Sequence, residues 1–316
     1  MSRKRILNLL LIPVILAAAI AMLASRTFLI GIAEDGATKD FTDVETGYKY
    51  FVAISYLKNN GLIQGYEDNT FKPNQKVTRA EALKLLVDET SSEQEDQQTD
   101  SQDDVSKRPF TDTPLSEWYI PYLITAKEEG MVNGYPDGTF KPDNTINLAE
   151  MLKIYLESIA ENEGIVFDNT EANLFNDTPL DSWYTKYTAY AGEKGLINIY
   201  SNNTVNPEQE LTRGYLAEII YRMEMSKQGY VFGKASWYKG RKDDNTTYTT
   251  AHKTLPWGTM VEVTDLSNGK TVQVKVNDRG PYVPGRVLDL SKVAFSDLIE
   301  PSLGITTVQF RIISTP

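Results

Sequence analysis

The sequence predicts a multidomain chain: an all-α first part of three helix–loop–helix units, then an all-β barrel of about 85 residues carrying one helix. Two observations predict this. One set of motifs recurs three times before residue 227, and at Tyr230 the hydrophobic pattern changes from a helical period to strict alternation. A third bounds it: 41% of the 316 residues are hydrophobic, enough to fill real cores, and no cysteine is present to cross-link them.

At the N-terminus, Arg3-Lys4-Arg5 precedes an uncharged run from Ile6 to Ala24. Residues 1–33 are therefore read as a signal peptide or an N-terminal membrane anchor, with Gly31-x-Ala33 or Ala19-x-Ala21 offering small residues for cleavage. If the segment is retained, residues 6–33 anchor the chain in the membrane. On either reading the rest of the protein is exported. A lipid anchor would need a cysteine, so none is expected.

The first repeated unit (residues 40–90) opens on Phe41-Thr42-Asp43-Val44, the second (108–165) on Phe110-Thr111-Asp112-Thr113 and the third (172–227) on Phe175-Asn176-Asp177-Thr178. Each runs through an aromatic-rich helix to a glycine turn, Gly61, Gly130 or Gly195. A loop follows: Gly65-Tyr66-Glu67-Asp68-Asn69-Thr70-Phe71, Gly134-Tyr135-Pro136-Asp137-Gly138-Thr139-Phe140 and the degenerate Ile199-Tyr200-Ser201-Asn202-Asn203-Thr204-Val205. A second helix closes each unit. Tyr50, Ile54 and Leu57 share one helical face, and Leu83, Leu86 and Val87 share another. Thr78 with Glu81, and Asn147 with Glu150, have the spacing of a capping box; the third unit keeps Thr212 but has Tyr215 in place of the acid. One helix pair buries too little to stand alone, so the three units are expected to share a core. Trp118 and Trp183 are read as core aromatics rather than sugar platforms.

Asp88 to Asp104 holds eight acidic residues and no aromatic, a composition that reads as flexible, and residues 91–107 are taken as an acidic flexible linker. The formal net charge is −11, yet from Tyr230 onward eleven Lys and Arg face eight Asp and Glu. An acidic chain with a mildly basic end is a poor nucleic-acid partner and tolerates an anionic glycan at that end. No phosphate-binding glycine loop appears. With one histidine and no cysteine a zinc site would be nearly all carboxylate, so no metal and no cofactor is expected.

From residue 230 to 316 the segments 231–238, 259–264, 270–277 and 306–313 alternate as strands, Asp265 to Gly269 reads as a hairpin turn, and Ser291 to Ile299 as a short helix capped by Asp289 or Ser291. His252, Asp278 and Asp289 are the candidate catalytic residues, being one imidazole and two carboxylates at strand-to-turn positions. Each has a plainer reading: His252 as a turn stabiliser, Asp278 as an ion-pair partner of Arg279, Asp289 as a helix cap.

The Phe-x-Asp openings, the Gly-Tyr-x-Asp-Gly-x-Phe loop and Thr78-Arg79-Ala80-Glu81 make residues 40–226 resemble S-layer homology (SLH) repeats. That resemblance implies binding of a secondary cell-wall polysaccharide or another envelope glycan. The motif arginine maps to Arg79 and Arg213, expected to meet ligand carboxylates or ketals; Leu148 replaces it in the second unit.

Ala235-Ser236-Trp237-Tyr238, Ala251-His252-Lys253-Thr254-Leu255-Pro256-x-Gly258-Thr259, Asn277-Asp278-Arg279-Gly280-Pro281 and Asp289-Leu290-Ser291 resemble the rare lipoprotein A family. Its fold is a six-stranded double-psi β-barrel, and the resemblance implies endolytic, lytic-transglycosylase cleavage of peptidoglycan glycan strands. In that chemistry one carboxylic acid protonates the glycosidic oxygen, then takes the proton of the N-acetylmuramyl C6 hydroxyl as a 1,6-anhydro ring closes. Asp278 matches the family's catalytic aspartate and is expected to be part-buried. Trp237, Tyr238 and Arg279 are expected to touch glycan. The family's Thr-Ala-Asn-Gly-Glu stretch is replaced by residues 239–248, which hold no glutamate, only Asp243 and Asp244. That departure keeps a second reading open: an expansin-like barrel that binds wall polysaccharide without cutting it.

Overall fold

A computed structural model describes residues 41–90, 108–165, 167, 175–238 and 247–316. The acidic linker, the N-terminal segment, Asp243 and Asp244 lie outside them. Among the described residues six helices build the first part: α1 (Phe51–Asn59), α2 (Arg79–Thr90), α3 (Ile120–Glu128), α4 (Leu148–Glu163), α5 (Thr185–Glu193) and α6 (Arg213–Lys227). No helix among the described residues is long and apolar enough to cross a membrane.

The three units close on one another around a pseudo-threefold axis. At its centre Val77 N–H donates to the Leu211 carbonyl (3.0 Å), Leu211 N–H to that of Ile146 (2.9 Å), and Ile146 N–H to that of Val77 (3.1 Å). All three side chains are buried, so these amides reach no water and must satisfy each other. The same exchange repeats outward. Arg79 and Ala80 N–H donate to Asn144 and Pro142 of the second unit, Leu148 and Ala149 to Gln209 and Pro207 of the third, and Arg213 and Gly214 to Gln75 and Pro73 of the first. Each closing helix thus has its first amides satisfied by the next unit.

The expected caps form. Thr78 N–H donates to Glu81 (2.9 Å) and Glu81 N–H to Thr78 Oγ1 (3.2 Å), Asn147 and Glu150 pair likewise, and Thr212 accepts from Tyr215 N–H. The opening aspartates have a role the motif alone does not state. Asp43 accepts from Phe71 and Lys72 N–H, Asp112 from Phe140 and Lys141, and Asp177 from Val205 and Asn206. They hold Lys72, Lys141 and Asn206 in the left-handed region, near φ +55°. Gly65 and Gly134 are there for proximity: a Cβ on either would sit within 2.5 Å of the Phe41 or Phe110 ring. In the third unit that place is Ile199, and the Phe175 ring lies instead on Gly192.

Trp118 and Trp183 correct the expectation of core aromatics: both are half exposed, each edge-on to the following tyrosine, on the rims of clefts between units.

The second part is a closed barrel of β1 (Val231–Tyr238), β2 (Thr249–Ala251), β3 (Met260–Asp265), β4 (Thr271–Asp278), β5 (Arg286–Ser291) and β6 (Ile305–Ser314), with α7 (Lys292–Leu298) against it. The order is β1-β5-β2-β4-β3-β6, with β1–β5 and β2–β4 parallel and the other pairs antiparallel. Alternation exposed four of these strands. It missed β2, which is three residues long, and β5, whose Arg-Val-Leu-Asp-Leu-Ser does not alternate cleanly. Asp289 is therefore inside β5 and caps nothing; Ser291 is the N-cap of α7, without a side-chain cap bond.

The barrel interior is filled by Ala235, Val261, Val263, Val274, Leu288, Leu290, Phe295 and Phe310. Phe232 and Leu266 leave that core and join the helical one. The seam is hydrogen-bonded too: Gly47 N–H to Ser267 O (2.7 Å), Val52 N–H to Leu266 O (3.2 Å), and buried Tyr221 Oη to Gln309 Oε1 (2.7 Å).

Replacing Asp112 by alanine should leave two loop amides without their acceptor and lower stability by about 2–3 kcal/mol, read from the denaturation midpoint with unchanged slope. An effect below about 0.5 kcal/mol would show that the loop holds itself.

Candidate active site

Register brings the barrel candidates together. Ser236 of β1 pairs with Asp289 of β5, Asp289 with Ala251 of β2, and Ala251 with Asp278 of β4. Paired positions face the same side of a sheet, so these four form one row. Their chain neighbours Ala235, Thr250 and Leu290 are buried, and so are Ser236 and Ala251, which leaves the two carboxylates as the part-exposed members of the row. The two carboxylates are two strand spacings apart, roughly 10 Å at the backbone. Asp278 and Asp289 are both half-buried, as the acid reading of Asp278 requires of it.

His252 follows Ala251, and its backbone N–H donates to the Asp278 carbonyl (3.2 Å). Its ring Nδ1 accepts from Thr254 N–H (3.1 Å) and Leu255 N–H (3.0 Å). An Nδ1 that accepts carries no proton, so the ring is neutral with hydrogen on Nε2. Burial, then the Arg279 guanidinium and Lys253, push its pKa down from the usual 6.5. The same imidazole therefore stabilises the turn and leaves an N–H to donate.

Arg279 clamps that turn from the other side. Nη1 donates to the Leu255 carbonyl (2.8 Å) and the His252 carbonyl (3.3 Å), and the guanidinium lies 5.3 Å from the centre of the Trp257 ring. Its backbone N–H donates to Asp278 Oδ1 (2.8 Å). Asp289 Oδ1 accepts from Ser236 Oγ, and Arg286 Nη1 reaches Ser236 Oγ (3.0 Å) and Asp289 (3.9 Å). Trp237 is held by Nε1–H donation to the Pro301 carbonyl (3.0 Å), with Lys292 over its ring; Tyr238 ends β1 opposite Ser291.

Ser236, Arg286 and the exposed Trp257 join this network without having been singled out in the sequence. The only signal was their place inside or beside the quoted motifs.

Arg79 and Arg213 are far from the barrel row and act between repeats. Arg79 Nε donates to the Phe140 carbonyl (2.9 Å), its Nη1 meets Glu150 at 3.4 Å, and it stacks over Tyr135. It lines a cleft of about 930 Å³ with Lys153 and Trp183. Arg213 Nε donates to the Phe71 carbonyl (2.8 Å) in a smaller cleft with Trp118. At the third junction the equivalent residue, Leu148, is fully buried, as is Val205.

The chain's one histidine makes a clean probe. Its imidazole should titrate below 6.5 in a pH series of NMR spectra and show the Nε2–H tautomer above that midpoint. Because the folded pKa is lowered, the unfolded chain binds the proton first. This residue's contribution to stability is therefore present above pH 6.5 and is lost as pH falls through the folded pKa. A midpoint at or above 6.5 would contradict the geometry.

Comparison with known proteins agrees with this architecture. The S-layer homology domain family matches residues 40–83, 109–152 and 174–214, and the family described as DPBB_1, lytic transglycolase, matches residues 230–310. The barrel region is 44% identical over 90 residues to the probable endolytic peptidoglycan transglycosylase RlpA of Treponema pallidum, covering 27% of this chain and 28% of that protein. It is 45% identical over 91 residues to the endolytic peptidoglycan transglycosylase RlpA of Campylobacter jejuni, covering 26% and 33%. Cell surface glycoprotein 1 of Acetivibrio thermocellus is 27% identical over 175 residues, 52% of this chain and 7% of that one. The chain thus spans a third or less of the length of each of these relatives. Three S-layer homology repeats followed by a double-psi barrel of the RlpA-like lytic transglycolase family are what this chain is built from.

Proposed function

We propose that this chain is an envelope-held endolytic peptidoglycan transglycosylase, its barrel cutting glycan strands while the repeats hold it to a wall polymer. The observation that carries the reading is the row across β5, β2 and β4, which sets Asp278 beside the neutral His252. The transglycosylase relatives over the same residues support it.

Asp278 delivers its proton to the glycosidic oxygen as the C1–O bond breaks. The C6 hydroxyl of the same N-acetylmuramyl residue then closes on C1 and returns a proton to the carboxylate. No water is consumed and no second carboxylate is needed, in contrast to two-carboxylate hydrolases. Asp289, engaged by Ser236 and Arg286, positions the row. The Nε2–H of His252 donates to substrate. Arg279 keeps the His252 turn in register while Trp237, Tyr238 and Trp257 supply sugar-stacking surface. In the repeats the Arg79 cleft, with Lys153 and the exposed Trp183, is the favoured polysaccharide groove.

A second reading keeps the binding and drops the cutting. The absence of a glutamate between Tyr238 and Tyr248 favours it.

Full chain incubated with peptidoglycan stripped of stem peptides should release 1,6-anhydromuramyl fragments detectable by mass spectrometry. Asp278→Asn should lower their yield by about a hundredfold or more while leaving glycan sedimentation unchanged. Sedimentation without any anhydro product would replace the enzyme by the binder. Trp183→Ala should weaken co-sedimentation with whole cell walls several-fold; an unchanged value would move the polymer site elsewhere.

A further inference from the structure

Where the first and third repeats meet the barrel there is a chamber of about 350 Å³, a volume proper to small-ligand sites (about 300–1,000 Å³). Two close approaches hold the seam beside it: a Cβ on Gly285 would sit 2.5 Å from the Ile199 carbonyl, and one on Gly195 would sit 2.8 Å from the Phe232 carbonyl. Both domains contribute walls, so neither contains the chamber alone.

Its lining carries four cationic residues, Lys49, Arg222, Lys234 and Arg286, and one carboxylate, Glu218. Glu218 is committed: its Oε1 accepts from Arg222 Nη2 at 2.8 Å, both side chains being almost fully buried. Lys234 comes from the barrel wall and is held at Thr307 Oγ1. No carboxylate lies within 4 Å of its ammonium among the described residues. Burial, then Arg222, lower its pKa, against the weaker opposing pull of Glu218 and Asp265. Arg286 Nε and Glu218 Oε2 are buried and, among the described residues, have no hydrogen-bond partner. A chamber offering an ammonium with no carboxylate in contact, an idle guanidinium N–H and one idle acceptor oxygen is complementary to an anion carried next to a hydroxyl.

We propose that this chamber binds a sugar carboxylate, the cations taking the carboxylate and Glu218 Oε2 accepting from a neighbouring sugar hydroxyl. Arg286 also contacts Asp289 and Ser236, so the chamber opens beside the barrel's candidate row. The inference deepens the glycan reading above and rests on it for the origin of the carboxylate. It also explains the joining of repeats and barrel: the first and third repeats complete a subsite that the barrel lacks alone.

The test is calorimetric titration of the full chain carrying Asp278→Asn, which separates binding from turnover. The probes are N-acetylglucosaminyl-N-acetylmuramic acid with its free lactyl carboxylate, the same disaccharide with that carboxyl reduced to the alcohol, and a pyruvyl-ketal hexosamine. One carboxylate probe should bind about tenfold or more tightly than the reduced disaccharide. Lys234→Gln should remove that preference, and Lys49→Gln, at an exposed site that cannot unfold the protein, should weaken it about threefold. Whichever carboxylate probe responds names the source. Equal affinity for carboxylate and reduced probes, or a preference untouched by both substitutions, overturns the chamber. Carboxylate binding without anhydro product from the unsubstituted chain would instead leave the chamber standing and end the cutting mechanism.

Discussion

A ring of three backbone hydrogen bonds, Val77 to Leu211 to Ile146 and back, governs the first part of this protein. Each bond joins a different pair of units and each amide is shut away from water. None of the three can be lost without stranding a buried donor or acceptor, which costs more than a hydrogen bond contributes. Closure follows for the whole triplet: every closing helix borrows carbonyls from the next unit for its first amides, and the motif arginines reach across the same junctions. One unit has neither the apolar area nor the partners to persist alone.

The third unit departs from the pattern of the other two where the barrel arrives. Ile199 stands in place of the loop glycine, its carbonyl against Gly285, and the Phe175 ring has shifted onto Gly192. Phe232 and Leu266 sink into the helical core rather than that of the barrel. The buried Glu218–Arg222 pair ties α6 to the Gly195 carbonyl and Asn198 on this same side. A buried ion pair is weak support for stability taken alone. Here it also fixes the charge of the seam, because the only carboxylate lining the chamber is already taken by an arginine.

In the barrel, one loop does most of the positioning. His252 Nδ1 gathers two amides, Arg279 gathers two carbonyls of the same turn, and the strand register places Asp278 at its base. The imidazole is kept neutral by the burial that makes it a good turn-former and by the guanidinium that closes the turn. The turn-stabilising reading of His252 is the one its contacts carry, with Nε2–H left to donate. For Asp289 the outcome differs: the cap reading fails because the residue is mid-strand, beside Ser236 and Arg286.

The sequence by itself determined the triplicated helix pairs, their capping boxes, the barrel and two residues of its candidate row, Asp278 and Asp289, because each is written in local periodicity or in motifs a few residues long. It left β2 and β5 unread, since a three-residue strand and a non-alternating one carry no periodic signal. It also misjudged Trp118 and Trp183, whose burial depends on neighbouring units rather than on their own helices. Only the tertiary structure decided that Asp289, Ala251 and Asp278 share a row, that Arg79 and Arg213 act on the next repeat, and that four cations meet at a seam between domains. The physical reason is one of range: caps and periods are set within a few residues of chain, whereas register and interdomain charge depend on groups as distant in sequence as Lys49 and Arg286, which meet only once the backbone has closed.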